Sequence, residues 1–169
     1  MIATDEIASG LRPPQALRAA MARHAASVAV LTVHAGDRVL GVTISSLISL
    51  SLHPPLVLFA LHRHSSMLDR LENQPFGLTV LNDGQHDIAT RLAHPHRPPV
   101  PTAWLQPPLA TGEVATIAGG AVAITAELDS RCDAGDHVCV IARVISARSA
   151  SRRPLLHFLG GYTGVGFSE

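Results

Sequence analysis

Residues 43–51 read Thr43-Ile44-Ser45-Ser46-Leu47-Ile48-Ser49-Leu50-Ser51, five small hydroxyls interleaved with aliphatic anchors. Ser and Thr side chains are short, donate and accept, and leave neighbouring backbone N–H groups open, so such a strip lines a polar ligand closely. It suits a planar heterocycle with carbonyls and a phosphate tail, and the lining candidates are Val42, Thr43, Ile44, Ser45, Ser46, Ser49, Leu50 and Ser51. The competing reading is a Ser-rich connection whose hydroxyls satisfy local backbone groups. Further along, Ser65 or Ser66 can cap a short helix over 67–73 with Arg63 alongside, which provides the donors and the charge for a phosphate or, more plainly, an ordinary cap. Gly135-Asp136-His137 stands where a turn passes into a strand. A His there emerges at a rim, with Asp136 able to fix its tautomer and Gly135 able to admit a close approach; the alternative is a His tied structurally to its turn.

Other chemistries find less support. His62-x-His64 and His94-x-His96 place imidazoles at alternate positions, but no carboxylate or Cys follows at ligand spacing, so no metal is expected. No Gly-x-Ser-x-Gly elbow singles out a nucleophile. All thirteen basic residues are Arg, which excludes a lysine Schiff base and a Walker-type loop, and the thirteen acids that balance them argue against nucleic acid. Cys132 and Cys139 lack metal spacing and are expected as free thiols. With no apolar run of membrane-spanning length and an acidic start, the expectation is a soluble cytoplasmic protein without a membrane or nucleic-acid partner.

These groups need a scaffold. Pro13-Pro14 opens a helix over 15–25 whose Leu17, Ala20, Met21 and His24 share one face, expected to pack on the body of the domain. Residues 27–34 and 38–44 read as a hairpin about Ala35-Gly36-Asp37 that delivers the chain into the hydroxyl strip, taken as a loop. Pro54-Pro55 forces an extended entry into a strand over 56–61. A strand over 76–81 precedes Asn82-Asp83-Gly84-Gln85, a capping box for a helix reaching about Ala93, and four prolines in 94–101 enforce a loop. Strands follow over 112–117, 121–131, 137–147 and 154–159, with Gly119-Gly120 and residues 133–136 as turns. Trp104 is expected in packing or at a rim. The sum is one mainly β domain over 13–169, a closed or nearly closed barrel, behind a flexible leader at 1–12. Only 15% of residues are charged against 47% apolar, with a mean hydropathy of +0.26, which points to an apolar surface buried between subunits.

The order Thr-x-Ser-Ser-x-x-Ser-x-Ser-x-x-Pro-Pro-Leu-Val over 43–57 closely resembles the signature of the short-chain flavin reductase family, the reductase components of two-component flavin-dependent monooxygenases. Leu17-Arg18-Ala19-Ala20-Met21-Ala22-Arg23, Leu78-Thr79-Val80-Leu81-Asn82 and Gly135-Asp136-His137 extend the resemblance across about 15–165. It implies a split β-barrel of the Greek-key, FMN-binding type with a few short flanking helices, assembled as a homodimer. It also implies reduction of free FMN or FAD by NADH or NADPH, hydride passing to flavin N5, and reduced flavin diffusing to a partner monooxygenase. By the same resemblance the strip residues, Arg63, Ser65, Ser66 and Asn82 hold the flavin. Gly135, Asp136, His137 and Tyr162 face the nicotinamide, with His137 as the catalytic candidate, and loop 94–101 matches a variable loop that can close over the flavin. Gly160-Gly161 stands where the family often has a basic residue before the aromatic. A non-reductase flavin-binding split barrel is the alternative. FMN against FAD and NADH against NADPH stay open, with Arg131, Arg143, Arg148, Arg152 and Arg153 near enough in sequence to His137 for a 2′-phosphate contact.

Overall fold

The computed structural model describes residues 12–108 and 113–166, so the expected leader lies outside the described residues except for Arg12. The elements in order are α1 (Pro13–Met21), β1 (Ala26–Ser27), β2 (Ala29–Ala35), β3 (Arg38–Ile44), β4 (Ile48–Leu52), β5 (Pro55–His62), β6 (Phe76–Val80), α2 (His86–Ala93), β7 (Leu105–Gln106), β8 (Thr116–Ile117), β9 (Val122–Ala134), β10 (His137–Ser149), β11 (Leu155–Phe158) and β12 (Gly161–Gly164). Seven strands form one antiparallel sheet in the order β3-β2-β6-β9-β10-β5-β4, while β1-β11-β12 and β7-β8 form small satellites. β3 and β4 follow one another in sequence yet lie at opposite edges of the sheet, so the barrel curls without closing, and the connection from Ser45 to Leu47 crosses the split.

Two cores hold this sheet. Inside the barrel Leu31, Phe59, Phe76, Leu78 and Val140 are fully buried, with Phe59 and Phe76 edge-to-face at 5.9 Å. On the outer face Val28, Val30, Leu81, Leu92 and Leu155 pack beneath α2 and β11. β2 therefore feeds both: Leu31 and Val33 point one way and Val30 the other, which is why its apolar run is nearly continuous. Thr32 and Thr79 are buried with it, and their hydroxyls are spent on the 115–117 segment: Thr32 Oγ1 donates to Ala115 O at 2.8 Å and Thr79 Oγ1 accepts Ile117 N–H at 3.0 Å. Gly77 permits that approach, since a Cβ there would stand 2.4 Å from Thr32 Oγ1.

Several expectations shift. α1 ends at Met21 rather than residue 25 and buries no residue; Leu17 and Met21 are 63% and 52% exposed, because nothing among the described residues covers their face. The expected loop ends early: Ser49, Leu50 and Ser51 belong to β4, since alternating Ile-Ser-Leu-Ser-Leu has the period of a strand. The helix over 67–73 is a single 3-10 turn, Leu68–Leu71. The strand over 112–117 shrinks to β8, with Gly112 outside the described residues. β9 runs on to Ala134, leaving Gly135-Asp136 as the whole turn, with Gly135 at φ +64° as a tight hairpin requires. His53-Pro54 is cis within the β4–β5 turn, and β5 begins at Pro55.

Candidate functional site

A cleft of about 560 Å³ opens at the split between β3 and β5, a volume within the range of small-molecule sites. One wall is the end of β3 and the crossing that follows it: Val42, Thr43, Ile44, Ser45 and Ser46. Here the backbone matters as much as the hydroxyls. Val39 O accepts Val100 N–H at 2.8 Å and Gly41 O accepts Arg97 Nε–H at 2.7 Å, so alternate residues of β3 present their polar groups away from β2. The alternation of an antiparallel edge turns the N–H and C=O of Thr43 the same way, toward the cleft. Two hydroxyls of this wall are spent on the protein itself. Thr43 Oγ1 donates to Ala89 O at 2.8 Å, pinning α2. Ser46 Oγ accepts Ala60 N–H at 2.9 Å and donates to Ala60 O at 3.3 Å, standing in for a strand partner where β4 no longer pairs with β5. Ser45 is exposed.

The opposite wall is the end of β5 and the start of β10. His62 and His137 are cross-strand partners, with ring centroids 5.6 Å apart, and the His64 ring lies tilted beside His62 at 5.4 Å. His137 Nδ1 lies 2.6 Å from Asp136 Oδ1, and that hydrogen bond holds the Asp136 carboxyl below its ordinary value. Carboxylate is an acceptor only, so Nδ1 of His137 carries the proton and Nε2 is the free nitrogen.

The floor joins Ser65 and Ser66 to Pro95 and Arg97. Ser65 Oγ accepts Met67 N–H at 3.3 Å, which makes the single turn after it a local cap rather than the long helix end a phosphate seat would use. Arg97 takes over as the cation of the floor. It is anchored through Nε to β3, burial lowers its guanidinium below the usual value, and no carboxylate pairs with it among the described residues. A second groove of about 490 Å³ shares His64, Ser65 and Ser66 with the first and adds Arg63 and Arg131. A planar ring with hydrogen-bonding edges fits between the β3 wall and the imidazoles, and an anionic tail fits along Arg97, Ser66 and Arg63.

The structure thus brings together Val42, Thr43, Ile44, Ser45, Ser46, Ser65, Ser66 and His137, with Arg63 in the adjoining groove. It does not bring in the rest. Ser49, Leu50 and Ser51 lie on the edge strand β4 and do not line either groove. Asn82 is consumed by its turn, accepting Gly84 N–H at 2.8 Å and donating to Gly119 O at 2.6 Å. Tyr162 packs against His86 and His157 at 6.1 and 5.9 Å in the outer core, where burial raises its phenol. Gly135 and Asp136 support His137 from outside the cleft. Of the arginines weighed for a 2′-phosphate, Arg131, Arg143, Arg148 and Arg153 pair with Glu72, Asp129, Glu113 and Asp83. His62, His64 and Arg97 were missed; the two histidines follow from the register of β5 against β10, and Arg97 from the loop's contact with an edge strand. No group of three or more potential ligands able to hold a metal occurs among the described residues.

Comparison with known proteins gives the geometry its family. Residues 21–166 match the flavin reductase like domain model. The chain is 32% identical over 155 residues to an NADH-dependent FMN reductase of Streptomyces nodosus subsp. asukaensis, covering 86% of this chain and 82% of that one. It is 29% identical over 150 residues to the reductase component of a 4-hydroxyphenylacetate 3-monooxygenase of Thermus thermophilus, covering 88% and 94%. Among solved structures, the flavin reductase component of a bacterial two-component tryptophan halogenase superposes with a TM-score of 0.81 at 30% identity, over 92% of this chain and 99% of that one. With a split antiparallel barrel, a hydroxyl-lined cleft at the split and a match running through both, the chain belongs to the flavin reductase like domain family.

Proposed function

We propose that the chain is a flavin oxidoreductase that reduces FMN or FAD with NADH as the preferred donor, NADPH being secondary, and releases the reduced flavin to a flavin-dependent monooxygenase component. The observation that carries this is the cleft at the split: a wall of edge backbone and small hydroxyls faces a pair of imidazoles across a space sized for stacked rings. When bound, the flavin supplies the electron-accepting ring for the hydride of a dihydronicotinamide. Thr43 backbone and Ser45 hold that ring by its polar edge, and Ser46 keeps the wall rigid by fastening it to β5. Arg97, Ser65, Ser66 and Arg63 take the phosphate end. His137, oriented by Asp136, sets the nicotinamide against the open face. Asn82 and Tyr162 act on this site only through the packing of α2 and β12, and Gly135 through the turn.

Residues 13–169 form one domain in this reading, working as a cytoplasmic homodimer. Cytoplasmic NADH is the donor supply, and no helix among the described residues is long and apolar enough to cross a membrane. Exposed Leu17, Met21, Phe158 and Leu159 at one end and Ile48, Leu50, Leu52 and Ile145 along β4 and β10 are the surfaces a second copy would cover. Ser49, Leu50 and Ser51 then serve the subunit contact. Sedimentation tests this: Leu52→Asp yields monomers, and an unchanged sedimentation coefficient removes β4 from the interface.

Anaerobic mixing with FMN or FAD and NADH tests the activity. Loss of flavin absorbance on mixing is expected; bound flavin that stays oxidised would instead mark a flavin-binding barrel without reductase activity.

A further inference from the structure

His137 is not alone on its wall. His137 flanks a two-residue turn opposite Ala134, so its own N–H and C=O face β9. Its pairing with His62 on β5 is therefore of the non-hydrogen-bonded kind, in which Cα atoms stand about 4.5 Å apart and side chains come closest. Their rings meet at 74°.

Each ring has one nitrogen committed to the protein. His62 Nδ1 accepts the backbone N–H of His64 at 3.3 Å, so the neutral ring carries its proton on Nε2. His137 Nδ1 donates to Asp136 Oδ1 at 2.6 Å, so its neutral ring leaves Nε2 bare. Two adjacent imidazoles that line one cleft thus differ at their free nitrogens: one gives a hydrogen bond and the other takes one. A carboxylate or phosphate would want two donors. A carbonyl alone would leave His137 idle.

We propose that His62 and His137 together read a primary carboxamide, His62 Nε2–H donating to its carbonyl oxygen and His137 Nε2 accepting from its amino group. The inference rests on the reductase reading, in which the carboxamide is that of the nicotinamide. His62 thereby becomes a substrate-positioning residue that fixes which face and edge of the dihydropyridine enters. The imide edge of a flavin offers a similar donor–acceptor pattern, and the experiment separates the two.

The test compares NADH with reduced 3-acetylpyridine adenine dinucleotide, which keeps the carbonyl and replaces the amino group by methyl. Each variant is scored against wild type on the same donor, at saturating flavin. His62→Phe raises KM about tenfold on both donors, the worth of one neutral hydrogen bond, with kcat moving less. His137→Phe raises KM about tenfold on NADH and less than about twofold on the analogue. His62→Gln, whose amide N–H reaches as far as imidazole Nε2, recovers most of the loss. Both His62 variants fold because His62 is exposed, and an unchanged far-UV spectrum and melting curve check the fold of His137→Phe, whose side chain is 45% exposed. Equal factors for His137→Phe on both donors overturn the carboxamide assignment while leaving the nicotinamide site in place. Losses that fall on flavin KM instead transfer the pair to the flavin and overturn it too. A wild-type protein that oxidises no NADH with either flavin fails earlier, and takes the reductase reading with it.

Discussion

The two walls of the cleft are built from opposite materials. On the β3 side Thr43 and Ser46 have turned their hydroxyls to Ala89 and Ala60, so recognition there falls to backbone groups and to Ser45. On the hairpin side the side chains face outward, with His137 45% and Asp136 80% exposed, and each imidazole keeps one nitrogen free. The first wall is a mould whose shape is fixed by internal bonds. The second is a set of adjustable contacts on a turn. A tightly defined seat for a ring and an accessible approach for a transient donor are what such a pairing provides.

The contrast breaks most visibly at Ser46. Ser46→Val strands the N–H and C=O of Ala60, lowering stability by about 2 kcal/mol, a Tm drop of about 4–8 °C in thermal melts. Flavin Kd, read by fluorescence quenching, rises more than about tenfold as the mould shifts. An unchanged melting curve would mean the wall is not held by this bond.

Arg97→Leu comes next. It removes the floor's cation, so flavin Kd in equilibrium dialysis rises about tenfold, the range of one charge-assisted hydrogen bond, while NADH KM stays put. His137→Ala sharpens the comparison from the other side: NADH KM rises about fivefold to tenfold with flavin affinity little altered. Equal loss of both would place His137 in the flavin seat or the fold.

The smallest effect is acid-linked. Asp136 titrates below the ordinary carboxylate value in the folded protein because of His137, so what their contact contributes is complete above the unfolded carboxyl's pKa, about 3.9, and fades as pH falls through the lower folded value. Asp136→Asn should raise NADH KM about twofold at neutral pH, since an exposed pair contributes little, and should remove the acid-side change in the His137 ring signals in NMR. Retention of that change in the variant would assign it to another group.

The strands and the double-Gly and Gly-Asp turns were legible because alternation and turn chemistry are local. So was the placement of Thr43–Ser46 and His137 on the cleft, where small hydroxyls and a turn-to-strand His announce themselves. Apart from β4, whose local alternation was taken as loop, what failed was not local. Ser49 and Ser51 carry the same hydroxyl as Ser46, and only the end of the β4–β5 pairing separates a bridge to Ala60 from a strand residue outside the cleft. His62 reaches the cleft through a register seventy-five positions long, and Tyr162 lies away from it because β12 pairs with β11 beside α2 rather than near the split. Leu17 and Met21 show the proper helical spacing with nothing among the described residues to meet, since periodicity states that a face is apolar and not whose surface covers it.

An open barrel carries a hazard that the strap over 94–101 reduces. Its contacts occupy the outward carbonyls of Val39 and Gly41, rungs of β3 that would otherwise be open to another chain, as uncovered sheet margins are in aggregation. The next rung, Thr43, is the one that faces the cleft. A small molecule seated there would extend the cover of a margin that the strap already shields in part, so the ligand-free protein should be the form more prone to clump.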